Sequence, residues 1–209
     1  MSEDLPFDLA GLAAADVQSL EDTYAALRTK FSISLSDDSD IHLNDFDLFN
    51  INPNISIGGV LLINAPGKNC HLAFLKIHYQ PTSGVYGGER LDYYKYQVWA
   101  FITLNKDFGR ALIRHETFND RIIGLIHPCE LQFKDDKEFD HKFYIVTNNE
   151  QKALLAMNWN FRNAVMGMPD NIVLETAGTT LIIGTGAITI DPGQTIQLAE
   201  FASKIAALK

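Results

Sequence analysis

The sequence predicts an α+β fold with a largely antiparallel sheet, an N-terminal amphipathic helix, mid-chain helices and a C-terminal helix. Three observations predict it. Strand-like and helix-like segments are both abundant, but they do not alternate as β-α-β units. Two long stretches with a repeat of two, joined by a glycine-containing connector, read as an antiparallel ribbon. Segments with a repeat of three and four stand at the start and at the end of the chain.

The first element is a helix from about Asp16 to Phe31. Val17, Leu20, Tyr24, Leu27 and Phe31 fall on one stripe, and Asp16 is the expected N-cap. An acidic loop follows at Ser36-Asp37-Asp38-Ser39-Asp40. It does not make a calcium-binding hand: counted from Asp38, positions six and twelve are Leu43 and Phe49, and counted from Asp37 they are His42 and Leu48.

From Ile55 to Leu104 the chain reads as β, with Gly58-Gly59 and Ala65 to Asn69 as turns or bulges. Ala73, Leu75, Ile77 and Tyr79 share one face of the first long strand. Tyr94, Tyr96, Val98, Ala100, Ile102 and Leu104 share one face of the second. The opposite face mixes Lys95 and Gln97 with Trp99 and Phe101, so it is expected to be partly wet.

The rhythm changes near residue 109. Arg110 to Arg114 reads as a short strand, Thr117 to Leu125 as a helix and Asp135 to Asp140 as a charged loop. His141 to Thr147 reads as a strand, and Asn148-Asn149 as a turn and N-cap. Helical pieces follow at Glu150 to Met157 and Trp159 to Met166. Ile172 to Thr176 and Thr180 to Ile183 flank Ala177-Gly178 as a hairpin. Asp191-Pro192 caps a closing helix that runs to about Leu208. One compact unit over residues 1–209 is expected, with an alternative division into two subdomains, 1–108 and 109–209.

Charge and composition exclude several function classes. The chain has 209 residues, 46% of them hydrophobic, so it has ample material for a core. Seventeen basic side chains against 26 acidic ones give a net charge of -9, and the densest basic stretch is only Arg110, Arg114 and His115. Nucleic acid and anionic membrane surfaces are therefore not expected partners. The longest apolar run, around Val60 to Ala65, is broken by Pro66 and Gly67. It falls far short of the roughly 18–20 residues that span a bilayer. The start, Met1-Ser2-Glu3-Asp4-Leu5-Pro6, carries no export signal, so a cytoplasmic location is expected. Cys70 and Cys129 read as buried thiols rather than a bridge.

The segment Phe139-Asp140-His141-Lys142-Phe143-Tyr144-Ile145-Val146-Thr147, continued by Asn148-Asn149-Glu150 into a helix, resembles a pattern in uncharacterised bacterial proteins grouped as a domain of unknown function. Gly109 to Glu116, Lys76 to Tyr79 and Tyr93 to Trp99 resemble other strands of that family. The likeness covers residues 70 to 208. It implies a bacterial origin and an α+β domain. Its motifs are structural and supply no catalytic residues. Many relatives look tethered to membranes by N-terminal helices, and this chain departs from that.

No motif for reaction chemistry is complete. There is no G-x-S-x-G elbow, His115-Glu116 is followed at the critical position by Asn119, and Gly184-Thr185-Gly186 lacks the remaining phosphate-binding residues. His127 and Cys129 could share a strand face but would need two more metal ligands. No cofactor and no metal are expected. The most informative set is Tyr86, Glu89, Arg90 and Tyr93 on the glycine-rich connector, because Tyr and Arg offer contact area and directed hydrogen bonds. The leading expectation is a non-enzymatic module that binds a protein or small molecule there. Dimers or larger oligomers are left open. The alternative is a hydrolase-like enzyme with a cleft between the two halves, using His115 or His127 with Glu116, Glu130 or Asp140.

Overall fold

In the computed structural model the described residues are 5–37, 41–50, 54–64, 70–79, 93–116, 129–185, 187 and 190–208. Alternation of side chains builds the sheet. Along Cys70–Tyr79 (β3), Leu72 and Phe74 join one apolar cluster while Ala73 and Leu75 join another. Along Tyr93–Thr103 (β4), Tyr96, Val98, Ala100 and Ile102 join the first cluster, and Trp99 and Phe101 the second. The sheet thus carries an apolar cluster on each face, and the second face of β4 is partly wet as expected, with Trp99 and Phe101 buried and Lys95 and Gln97 half-buried.

The remaining strands are β1 (Ile33–Leu35), β2 (Ile55–Ile63), β5 (Arg110–His115), β6 (Cys129–Glu130), β7 (Phe143–Thr147), β8 (Val173–Ala177) and β9 (Thr180–Gly184). They form one nine-stranded sheet in the order β1-β2-β3-β4-β9-β8-β5-β7-β6, with every pairing antiparallel. The architecture is α+β, with a helix near each end of the chain. Strands from both sides of residue 108 enter the same sheet, because β9 pairs with β4. Gly58 is the extra residue of a bulge in β2, where the register shifts between Ile57 and Gly59.

Helices α1 (Ala14–Lys30), α3 (Lys137–Lys142), α4 (Glu150–Ala156), α5 (Trp159–Val165) and α6 (Pro192–Ala206) all contribute to the larger cluster. In α1, Leu20 and Leu27 are buried as the stripe predicts, and Thr23 is buried with them. The N-cap position is Ala13, so Asp16 lies inside the first turn. In α6, Asp191 caps Gln194 N–H as expected, and Leu198, Phe201, Ala202 and Ile205 are buried. Asn149 caps α4 by accepting from Lys152 N–H. The charged segment 135–140 is not simply a loop: Asp136 accepts from Phe139 N–H and starts α3. The helix expected at Thr117 to Leu125 lies outside the described residues.

Arg162 on α5 ties these helices together. It is 7% exposed, donates from Nε to Asp136 Oδ2 (2.9 Å) and from Nη2 to Asp135 Oδ2 (2.9 Å), and lies 4.7 Å from the Phe133 ring centre.

The smaller cluster is roofed by a short segment, residues 41–50, made of a 3-10 turn (Leu43–Asp45) and one helical turn, α2 (Asp47–Asn50). Ile41, Phe46 and Phe49 are buried there. Phe49 meets Trp99 edge-on at 4.9 Å, and Phe46 meets Phe101 edge-on at 6.0 Å.

Candidate functional site

The register of β3 and β4 carries the ribbon's aromatic residues to its open end. Tyr79 stands opposite Tyr93, and His78 opposite Tyr94. Tyr79 and Tyr93 stack at 5.2 Å with an interplanar angle of 9°, and His78 and Tyr94 stack at 4.6 Å and 14°. Burial, together with neighbouring Tyr93, holds the Tyr79 hydroxyl above its ordinary pKa. Tyr93 remains 46% exposed, an aromatic face held in place yet open to solvent.

The N-terminal segment 5–12 packs on the other face of the ribbon, that of Phe74, Lys76, Tyr94 and Tyr96. Phe7 packs on Phe74 at 4.4 Å, and Asp8 N–H donates to Gly58 O. The Tyr96 hydroxyl donates to Asp8 O at 2.7 Å. Lys76 is buried, with its ammonium 2.7 Å from Asp8 Oδ2 and 4.6 Å from the Tyr94 ring centre. Its hydrogen bond holds the Asp8 carboxyl below the usual carboxylate range, helped by the N–H of Ala10. Burial, reinforced by the Asp8 charge, pushes the Tyr96 hydroxyl up. Lys95 reaches Asp16 at 2.8 and 2.9 Å. Gly11 has φ +75° and lies so close to Tyr94 that a Cβ would come within 2.5 Å of its ring.

Of the four residues singled out from the sequence, Tyr93 sits at the end of the ribbon, while Tyr86, Glu89 and Arg90 lie outside the described residues. The stack of Tyr93 on Tyr79 depends on strand register and was not anticipated, although both residues bound the predicted connector.

The set considered for catalysis is only partly gathered. Glu116, Glu130 and Asp140 line one open cavity of about 530 Å³, together with Lys134, Lys137 and His141. Asp140 Oδ1 is engaged by Phe133 N–H at 2.7 Å. His115 is not among the lining residues: it is buried against Phe143, with Nε2 3.3 Å from Met168 O and 3.6 Å from Asp170 Oδ1. His127 lies outside the described residues. Among the described residues, no three His, Cys, Asp or Glu side chains are grouped to hold a metal ion. Cys70 is buried, which pushes its thiol up to about 12. Cys129 is exposed, because it lies on the short edge strand β6, which corrects the expectation that it is buried.

A third surface was not foreseen. On α4, Ala153 and Ala156 face inward while Leu154 and Leu155 are 40% and 69% exposed, and Trp159 at the start of α5 is 65% exposed. Nearby, a shallow groove of about 40 Å³ is lined by Leu104, Phe108, Phe161, Ile205 and Leu208 among others. The signal was present in the sequence: the large apolar residues of α4 occupy the face opposite its alanines.

The fold and its surfaces define an α+β protein built on one wide antiparallel sheet, with helices over one face and a short segment over the other. Among solved structures, it is similar to the crystal structure of the mycobacterial trehalose monomycolate transport factor A, TtfA, with a TM-score of 0.54. The likeness spans 88% of this chain and 90% of that one at 9% sequence identity, and it shows a shared fold alone. No protein-family model and no curated protein matches the sequence. No helix among the described residues is long and apolar enough to cross a membrane.

Proposed function

We propose that this protein is a non-enzymatic binding module that captures a protein or small-molecule partner at the end of the β3–β4 ribbon. Tyr86, Glu89, Arg90 and Tyr93 make the contact, with the adjacent sheet as their base. The observation that carries this reading is the exposed Tyr93 ring, fixed by its stack on Tyr79. An aromatic surface already ordered before binding loses little entropy when a partner arrives. The solved structure of similar fold is called a transport factor, and such a role is compatible with capture without chemistry.

Immobilised protein should retain a defined partner from lysate of its source organism. Tyr86→Ala with Arg90→Ala should abolish that retention and leave the melting temperature unchanged. Retention equal to wild type removes the connector from the reading.

A hydrolase-like enzyme is the second reading, favoured by the cavity that collects Glu116, Glu130 and Asp140 beside His141. Steady turnover of a generic ester by purified protein, lost in Glu130→Gln, would select it over the first.

A further inference from the structure

A buried carboxylate holds down the segment over the second sheet face. Glu175 is 2% exposed, in the middle of β8. Its Oε1 accepts from Asp47 N–H at 2.7 Å and its Oε2 from Leu48 N–H at 3.0 Å, across about 128 residues of chain. Arg110 on β5 closes the group, donating from Nη1 to Asp47 Oδ1 at 2.6 Å and from Nη2 to Asp45 O at 2.7 Å. The second oxygen of Asp47, Oδ2, is buried and has no hydrogen-bond partner.

The charges do not balance. Two carboxylates, Glu175 and Asp47, share one guanidinium, and both side chains are largely withdrawn from water. Asp45 offers Arg110 only its carbonyl. The positions flanking Glu175 in the sheet are Leu112 on β5 and Ile182 on β9, which carry no charge, and Arg114, two residues beyond Leu112 on the same face, lies over the Tyr144 ring instead. One added proton would make the group neutral, and Asp47 Oδ2 is an acceptor left over within it.

We propose that Glu175, Asp47 and Arg110 form a proton-operated latch: the segment 41–50 docks on the sheet with uptake of one proton by the carboxylate pair, and loss of that proton loosens its hold over Trp99 and Phe101. The step moves a single proton between solvent and the pair and makes or breaks no other covalent bond. Burial raises the Glu175 carboxyl to about 7. The Asp47 charge adds to this, and the N–H groups of Leu48 and Asp47 and the Arg110 charge oppose it.

The sign follows from linkage. The docked form holds the proton up to about pH 7, whereas a released glutamate gives it up near its ordinary value of 4.5. Docking is therefore favoured below that lower value and loses about tenfold in its equilibrium constant per pH unit as the pH climbs toward 7, after which it levels off.

Amide hydrogen exchange on the full chain, corrected for the intrinsic rate at each pH, tests this. Protection of the Asp47, Leu48 and Phe49 amides should fall by at least tenfold between pH 5 and 7 and stay level from pH 7 to 8, while the central amides of β3 show no such break. Glu175→Gln should flatten the profile, and if that variant does not fold, the wild-type profile alone decides. Protection that is constant, or that rises with pH as it would for an ordinary ion pair, overturns the latch.

Discussion

Gly58→Ala is expected to lower the melting temperature by about 6–12 °C. A Cβ at residue 58 would stand 1.9 Å from the Tyr96 hydroxyl oxygen and 2.5 Å from two of its ring carbons. Tyr96 is 3% exposed and hydrogen-bonded to Asp8 O, so its ring has no free space to enter. Overpacking of this kind costs about 3 kcal/mol, and each kcal/mol is worth about 2–4 °C in a chain of this size. Because Tyr96 joins the bulge in β2 to the N-terminal segment, the effects of Gly58→Ala and Tyr96→Leu should be strongly non-additive when combined. Calorimetry of the two single variants and the double variant checks this. Additive losses would mean that the bulge and the segment are independent.

Arg162→Ala should cost about 3–5 kcal/mol, because it strips a buried cation from three acceptors at once, Asp135, Asp136 and Met157 O, and leaves Asp136, whose side chain is only 23% exposed, without its guanidinium. The loss also uncovers Phe133, which the guanidinium covers. Arg162→Lys should recover only part of it, since an ammonium cannot reproduce the fork that serves Asp135 and Asp136 together. Denaturant unfolding gives both values. A loss below about 1 kcal/mol for Arg162→Ala would class this as an ordinary surface pair.

The parts of the fold that were legible in the sequence rest on local chemistry. The alternation from Tyr94 to Ile102 marks β4 and its buried face, and Asp191-Pro192 and Asn149 mark helix starts by hydrogen bonds three residues long. The illegible parts rest on contacts distant in sequence. Nothing between Ile41 and Asn50 repeats long enough to show a period, and its helical turn is held by Glu175, far along the chain. A different ambiguity hides α3: its contacts are local, but Asp136 and Asp140 look like solvated charge, and one caps the helix while the other binds Phe133 N–H. The strands β1 and β6 are too short to carry a pattern.

The candidate site divides the same way. Residue type drew attention to Tyr93, since an aromatic beside a glycine-rich connector is recognisable without a structure. What makes it a platform is the pairing with Tyr79, which only the register of the sheet supplies. The acids Glu116, Glu130 and Asp140 lie scattered along the chain, and the fold gathers them around one cavity while sending His115 into the core.

The central claim, capture of a partner on an aromatic surface set in advance, is tested most directly by calorimetric titration of the retained partner into wild type and Tyr93→Ala. The account predicts a loss of about tenfold or more in affinity, as for removal of an aromatic anchor, with a melting temperature lowered by no more than about 4 °C, the worth of one lost cross-strand pair. Equal affinities for the two proteins would contradict it.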